Sequence, residues 1–403
     1  MKAKHIIFVH GLFGWGKDEM AGFPYYGKGI TTMKQQLENN GRTNVSVHEA
    51  SCGPVSSFHD RACEVFAQIV GKKVDYDGDQ KQHCNKNHHS PTSKDYSGKA
   101  FVTAWSEDNP VILVGHSAGA HTCLQLQQLL EDDFWGCGSN ANWVEAVVCI
   151  SGVINGSTLP YMLGCDKATG KLTGAIGNFI GIGVQTLGGL TRGFARNMFD
   201  WDLEQWVGQP ENTSLGDFIT KLQNSQFANS NDNLAYDLTL QGCKKANERF
   251  HTNENTYYLS VVTEQTSALQ FTDKQLPNFF MNPTLAASAF YQAVVVDFDD
   301  GEKPIAGWGT GDLTIDKWRE NDGAVSSISQ RFPFTGGNHP VGGEGFAEGQ
   351  HLTKGKWYYE KAESITGKSM DHLDVVFGYL TDPSLGDAHR SLYTKLCDRL
   401  CSL

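Results

Sequence analysis

Gly115-His116-Ser117-Ala118-Gly119 fits the pattern G-x-S-x-G, a serine held between two glycines. A serine hydroxyl at its free pKa is a poor nucleophile and needs a base to take its proton and an acid to orient that base. Residues 110–114 before the pentapeptide are apolar and strand-like, and Leu124, Leu126, Leu129 and Leu130 after it recur at helical spacing. This context predicts a strand, a strained turn with Ser117 at its tip, and a helix whose first N–H groups face a developing oxyanion. The acid and the histidine are expected later in the chain, in that order. Asp322, in the Asn-Asp-Gly turn of "WRENDGAV", and His372, just before the apolar run of "SMDHLDVV", meet the requirement. The second oxyanion donor belongs in the loop after the first strand, His10-Gly11-Leu12, so the N–H groups of Leu12 and Ala118 are expected to form the hole. The chemistry would be two-step acyl transfer through an acyl-enzyme.

The elements that must position these residues can be read from apolar patterning. Short apolar, strand-like runs at 5–11, 110–115, 143–156 and 255–266 alternate with helical segments such as 60–71. Such alternation predicts an α/β fold, a mostly parallel central sheet with helices on both faces, over a single domain spanning 1–403. Two segments interrupt it. Residues 75–97 are polar and contain "QHCNKNHH", three histidines and a cysteine in eight residues, and residues 160–225 read as an inserted helical cap. Within that cap, 171–190 is a glycine-rich apolar stretch suited to a mobile lid over Ser117.

Composition excludes several classes. A net charge of −12 without a dense Lys/Arg cluster argues against nucleic acid as a partner. No stretch of 18 purely apolar residues occurs, so no transmembrane segment is expected. The N-terminus runs from "MKAK" straight into the first strand, without a signal peptide in the chain as given. Ten cysteines are scattered without a C-x-x-C pair, so they leave the compartment and the disulfide pairing open.

The segments "VHGLFGWGKDEM", "GPVSSFHDRACEVFAQIVGKKVDY", "GHSAG", "YDLTLQG", "NTYYLSVVTEQT", "RENDGAV" and "DHLDVV" cover most of the chain in family order. With them the chain resembles the zinc- and calcium-containing lipases of the thermoalkalophilic bacillar and staphylococcal type. The resemblance implies an α/β-hydrolase fold with an inserted helical lid and a zinc-binding extra loop. It implies a secreted triacylglycerol lipase acting on acylglycerols at lipid–water interfaces, and it supports Ser117, Asp322, His372, Leu12 and Ala118 in the roles above. Ala118 stands where the family commonly has Gln, a departure that spares the backbone N–H.

The resemblance also implies a structural Zn²⁺ held by Asp60, His83, His89 and Asp237, clamping the 75–97 loop to the core. His88 rivals His89 there, and Cys84 is an outside candidate. A structural Ca²⁺ beside the catalytic histidine is implied at Phe280, Asp374, Asp382 and Pro383, with Asp374 where the family usually has Glu. Other readings are a carboxylesterase or phospholipase of the same fold, or a non-catalytic binding protein. Acyl-chain preference and oligomeric state are not legible in the sequence.

Overall fold

The computed structural model describes residues 1–79, 83–85, 87–173, 202–207, 215–296, 315–347, 349–380 and 382–403. Nine strands occur among them. These are β1 (His5–Val9), β2 (Ser46–Ala50), β3 (Val111–His116), β4 (Val144–Ile150), β5 (Tyr257–Val262), β6 (Thr266–Ala268), β7 (Gln275–Pro277), β8 (Val341–Gly343) and β9 (Trp357–Lys361). Seven form one sheet in the order β2-β1-β3-β4-β5-β9-β8, every pairing parallel, while β6 and β7 make a separate antiparallel hairpin.

Parallel strands need crossover connections, and those helices cover both faces of the sheet. The central strands therefore read as almost continuous apolar runs: "VILVGH" and "VEAVVCI" are buried at every position. The two faces can be separated residue by residue. Ile6, Phe8, Ile112 and Val114 pack with Met33 and Leu37 of helix α1 (Gly29–Asn39) and with Leu392 and Leu396 of the C-terminal helix Gly386–Cys401. Ile7, Val9, Leu113 and Val147 pack with Val65 and Ile69 of α2 (Phe58–Val70) and with Leu124 and Leu126 of α3 (Ala118–Glu131). The strand period of two sorts these side chains into two cores. This is the arrangement of the α/β-hydrolase fold, as expected.

Helix α2 begins two residues before the expected boundary because Ser57 caps it, its hydroxyl accepting from Asp60 N. Of the expected cap, the apolar run beyond residue 173 lies outside the described residues. Among those described, Leu159–Met162, Glu204–Val207 and Leu215–Gln223 are helical. No described helix is long and apolar enough to cross a membrane.

Candidate active site

Strand β3 ends at His116 and α3 begins at Ala118, so Ser117 alone makes the corner, with φ 57° and ψ −123°. A positive φ costs a residue with a Cβ about 1–2 kcal/mol. Three backbone bonds hold Ser117 there: its N–H donates to Ile150 O (3.0 Å), and its carbonyl accepts from Ala120 N (3.1 Å) and Val153 N (3.2 Å). The flanking glycines are steric necessities. A Cβ on Gly115 would lie 2.3 Å from the Gly119 backbone, and one on Gly119 would lie 2.1 Å from the Val9 carbonyl of β1.

His372 Nε2 lies 2.9 Å from Ser117 Oγ, and His372 Nδ1 lies 2.8 Å from Asp322 Oδ2. All three residues are buried. Asp322 sits in the turn after the helix Ile315–Arg319, and each of its oxygens is engaged. Oδ1 accepts from Ala324 N (2.9 Å) and Val325 N (2.8 Å), while Oδ2 accepts from Thr263 Oγ1 (2.6 Å) and Gln330 Nε2 (3.1 Å) as well as facing His372. A carboxylate so surrounded by donors is held as an acceptor. His372 Nδ1 therefore carries the proton, and the lone pair of Nε2 points at the Ser117 hydroxyl.

Two residues without an assigned role in the sequence reading complete the frame. His116 Nε2 donates to the His372 carbonyl (2.9 Å), because a carbonyl can only accept, and His116 Nδ1 then accepts from Tyr25 OH (2.7 Å). The Tyr25 oxygen in turn accepts from Gly11 N (3.0 Å). Burial, then the neighbouring His372, pushes the His116 pKa well below its ordinary value, keeping the ring neutral for this double role. A chain of hydrogen bonds thus ties the loop after β1 to the loop carrying His372.

That loop after β1 is braced from below. Buried Arg61 of α2 donates to the His10 carbonyl, to Gly53 O (2.7 Å) and to Thr122 Oγ1 (3.0 Å), and Phe13 N donates to Pro54 O (3.0 Å). The N–H groups of Leu12 and Ala118 take no hydrogen bond among the described residues. Ala118 follows Ser117 in the chain and Leu12 lines the same cavity, so both N–H groups are candidates to donate to an oxyanion. Above them opens a cavity of about 310 Å³ whose wall includes Leu12, Val153, Leu159, Leu238, Leu285 and Phe377. Ser117 and His372 also line it. The arrangement can bind an apolar chain and attack a carbonyl at one end of it.

A second cluster forms where the 75–97 loop meets α2. Asp60, His83, His88 and Asp232 bring one donor atom each within 4.8 Å of one another. Asp60 Oδ1 and Asp232 Oδ2 each lie 3.2 Å from His83 Nε2, and Asp60 Oδ2 lies 2.9 Å from His88 Nε2. A tetrahedral ion with bonds of about 2.0–2.1 Å keeps its donors about 3.3–3.4 Å apart, close to the shorter of these separations. Buried His88 Nδ1 has no hydrogen-bond partner, with Asp232 Oδ2 at 3.6 Å. Burial would raise the Asp60 pKa, but hydrogen bonds from His59, His83 and His88 hold it well below the usual range. Burial would lower His83, yet Asp232 and Asp60 push it up to about 10. The cluster attracts positive charge, and its donor set suits a metal ion.

Two expected ligands need correction. His89 points outward and is exposed, while the Asn85–His88 backbone pair turns the adjacent His88 inward. Asp237 is engaged elsewhere: its Oδ2 accepts from Phe58 N (2.6 Å) at the start of α2. Asp232, just before the capping Asn233 of the helix Leu234–Asp237, takes the place expected for Asp237. Cys84 lies near Ser90 Oγ (3.9 Å) and is not part of the cluster. Burial pushes Asp237 up to about 8. A carboxyl raised in the folded state contributes stability that is full below about pH 4 and lost as pH rises through about 8. Asp237→Asn, always neutral, is therefore expected to keep full metal content and to gain a few degrees in Tm, roughly, between those limits, the gain growing with pH. Asp232→Asn is expected to lose the metal. Elemental analysis and pH-dependent melting check both, and metal loss from Asp237→Asn alone would reverse the assignment.

Near His372, Asp374 Oδ2 accepts from Asp371 N (2.8 Å), and burial followed by the charge of Asp371 raises it to about 8, with Asp382 a further like charge. Asp382 Oδ1 accepts from Ser384 N (2.9 Å), with Pro383 beginning a short 3₁₀ turn. Phe280 presents its ring to solvent. Asp371, not singled out from the sequence, accepts from Asn282 N (2.7 Å) and Leu373 N (2.9 Å), joining the His372 loop to the segment before the helix Pro283–Phe290.

A family model described as "Lipase-like, C-terminal domain" matches residues 2–402. Lipase 1 of Staphylococcus aureus is 28% identical over 348 residues, covering 82% of this chain and 46% of that protein. The chain thus spans about half the length of the curated relatives it matches. EstA from Clostridium botulinum superposes with a TM-score of 0.76 at 25% identity, covering 100% of this chain and 88% of the other. Lipase 1 from Pelosinus fermentans gives 0.71 at 26% identity with both chains fully covered. Staphylococcus hyicus lipase gives 0.73 at 23% identity, covering 100% of this chain and 96% of the other, a likeness of fold.

Proposed function

Given that the chain belongs to the lipase-like family, we propose that it is a triacylglycerol lipase, hydrolysing the ester bonds of acylglycerols at a lipid–water interface. The observation that carries this reading is the continuous Ser117–His372–Asp322 contact, whose serine and histidine line an apolar cavity. In the proposed mechanism His372 Nε2 takes the Ser117 proton as Oγ bonds to the ester carbonyl carbon. The N–H groups of Leu12 and Ala118 hold the oxyanion. The protonated His372 then gives its proton to the leaving glycerol oxygen as the C–O bond breaks. Water, deprotonated by the same nitrogen, releases the fatty acid, and Asp322 keeps the imidazole oriented and balances its charge.

Zn²⁺ is proposed for the Asp60–His83–His88–Asp232 cluster, with two imidazoles and two carboxylates filling a four-coordinate shell as a structural staple for the 75–97 loop. Ca²⁺ is proposed beside Asp374 and Asp382, supported by the crowding of the Asp371, Asp374 and Asp382 carboxyl groups there, which a divalent cation would relieve as it braced the His372 loop. A single α/β domain, with 160–225 as its lid and an extracellular location, completes the proposal. The test is a series of acyl esters from soluble to insoluble. The rate is expected to rise steeply once the substrate exceeds its solubility limit. Saturation below that limit, with no further rise and a preference for short acyl chains, would make it an esterase instead.

A further inference from the structure

Three phenylalanine rings stand in water at the two ends of the β6–β7 hairpin. Phe271 is 103% exposed, Phe279 94% and Phe280 71%. Phe271 caps the β6–β7 hairpin at φ 64°, a backbone conformation that favours glycine or asparagine. A large apolar side chain at a strained, exposed turn violates local preference twice, and such violations gather at functional positions. Leu269 and Leu276 extend the apolar surface along the hairpin.

The two tips are fixed to each other and to the site. Asn278 N donates to Gln265 O (2.9 Å), and Met281 N donates to Asn278 O (3.0 Å), closing a turn with Phe279 and Phe280 at its apex and their rings edge-to-face at 5.4 Å. One residue on, Asn282 N donates to Asp371 Oδ2 beside His372, and Asn282 caps the helix whose Thr284 and Leu285 line the cavity. Four residues of chain place Phe280 within about 14 Å of Thr284. The Phe279–Phe280 turn therefore stands close, along the chain, to residues of the cavity wall.

The shape and charge select the occupant. The rings project from convex tips, offering no groove for a shaped partner, and aromatic side chains suit the boundary between water and lipid. Stretch 266–282 holds one acid and one base, Asp273 and Lys274, in a chain of net charge −12. This neutral face on an acidic protein matches an uncharged or zwitterionic lipid layer, and repulsion disfavours an anionic one. We propose that the hairpin tip and the Phe279–Phe280 turn form a fixed anchor that seats the cavity on such a layer, independently of residues 160–225. This rests on the lipase reading and deepens it.

The test separates docking from chemistry. In a Ser117→Ala background, which cannot digest its support, sedimentation with phosphatidylcholine vesicles reads binding. Adding Phe271→Ser and Phe279→Ser together is expected to weaken it roughly thirtyfold. Tryptophan at the two positions is expected to restore it. With Ser117 present, the double serine variant should hydrolyse a water-soluble butyrate ester within about twofold of the parent. Equal vesicle binding by parent and double variant, or no binding by the parent, overturns the anchor. So does a matching loss on the soluble ester, or a shift from dimer to monomer with vesicle binding intact. Failure of the parent on every ester sinks the lipase reading instead, while the vesicle arm still decides the anchor.

Discussion

Replacing Ser117 with alanine is expected to lower kcat on a soluble ester by about five to six orders of magnitude, with KM little changed. The size follows from the way the site is assembled. His372 Nε2 has the Ser117 hydroxyl as its only hydrogen-bonding partner among the described residues. Without the hydroxyl, the base, its orienting acid and the covalent intermediate all lose their purpose together, so the loss is that of the whole unit. The residue expected to survive is about 10³–10⁴-fold over water, supplied by the Leu12 and Ala118 donors and by binding in the cavity. Steady-state kinetics on purified protein, with burst titration to count active centres, checks this. A loss below about a hundredfold would remove Ser117 from the chemistry.

Asp322→Asn is expected to cost about 10⁴-fold in kcat without disturbing the fold. Asp322 Oδ1 accepts two backbone N–H groups, from Ala324 and Val325, so an asparagine must leave its carbonyl oxygen there. Its NH₂ then occupies the Oδ2 position, facing three groups that donate to the carboxylate: Thr263 Oγ1, Gln330 Nε2 and His372 Nδ1. The threonine and histidine can answer by accepting. For His372 this forces the proton onto Nε2, pointing it at Ser117, and the imidazole can no longer act as base. Thermal melting alongside kinetics separates the tautomer effect from unfolding, and activity within tenfold of the parent would contradict it.

Much of this frame was legible in the sequence because it rests on local rules. The buried strands declare themselves as apolar runs, and a glycine-flanked serine between a strand and a helix has few other uses. His372 and Asp322 follow from their order along the chain, and the structure brings His372 to Ser117 and Asp322 to His372. What the sequence leaves open depends on direction and distance. His88 and His89 are neighbours of identical chemistry, and only the Asn85–His88 turn decides which ring faces Asp60. Asp232 lies just before one short helix and Asp237 ends it, and the choice between them is set by the amide of Phe58, 179 positions away from Asp237. Tyr25 meets His116 across 91 positions, a pairing for which one sequence carries no signal. The β6–β7 hairpin, three residues per strand, is too short for alternation to reveal it.

The central claim is that Ser117 is a nucleophile activated by His372. A p-nitrophenyl alkylphosphonate tests it directly, since attack by Oγ forms a stable O–P bond and expels p-nitrophenolate. Mass spectrometry is expected to show one adduct per chain, on the peptide carrying Ser117, absent from Ser117→Ala and formed far more slowly by His372→Ala. No adduct, an adduct on another residue, or an unchanged rate in His372→Ala would contradict the account.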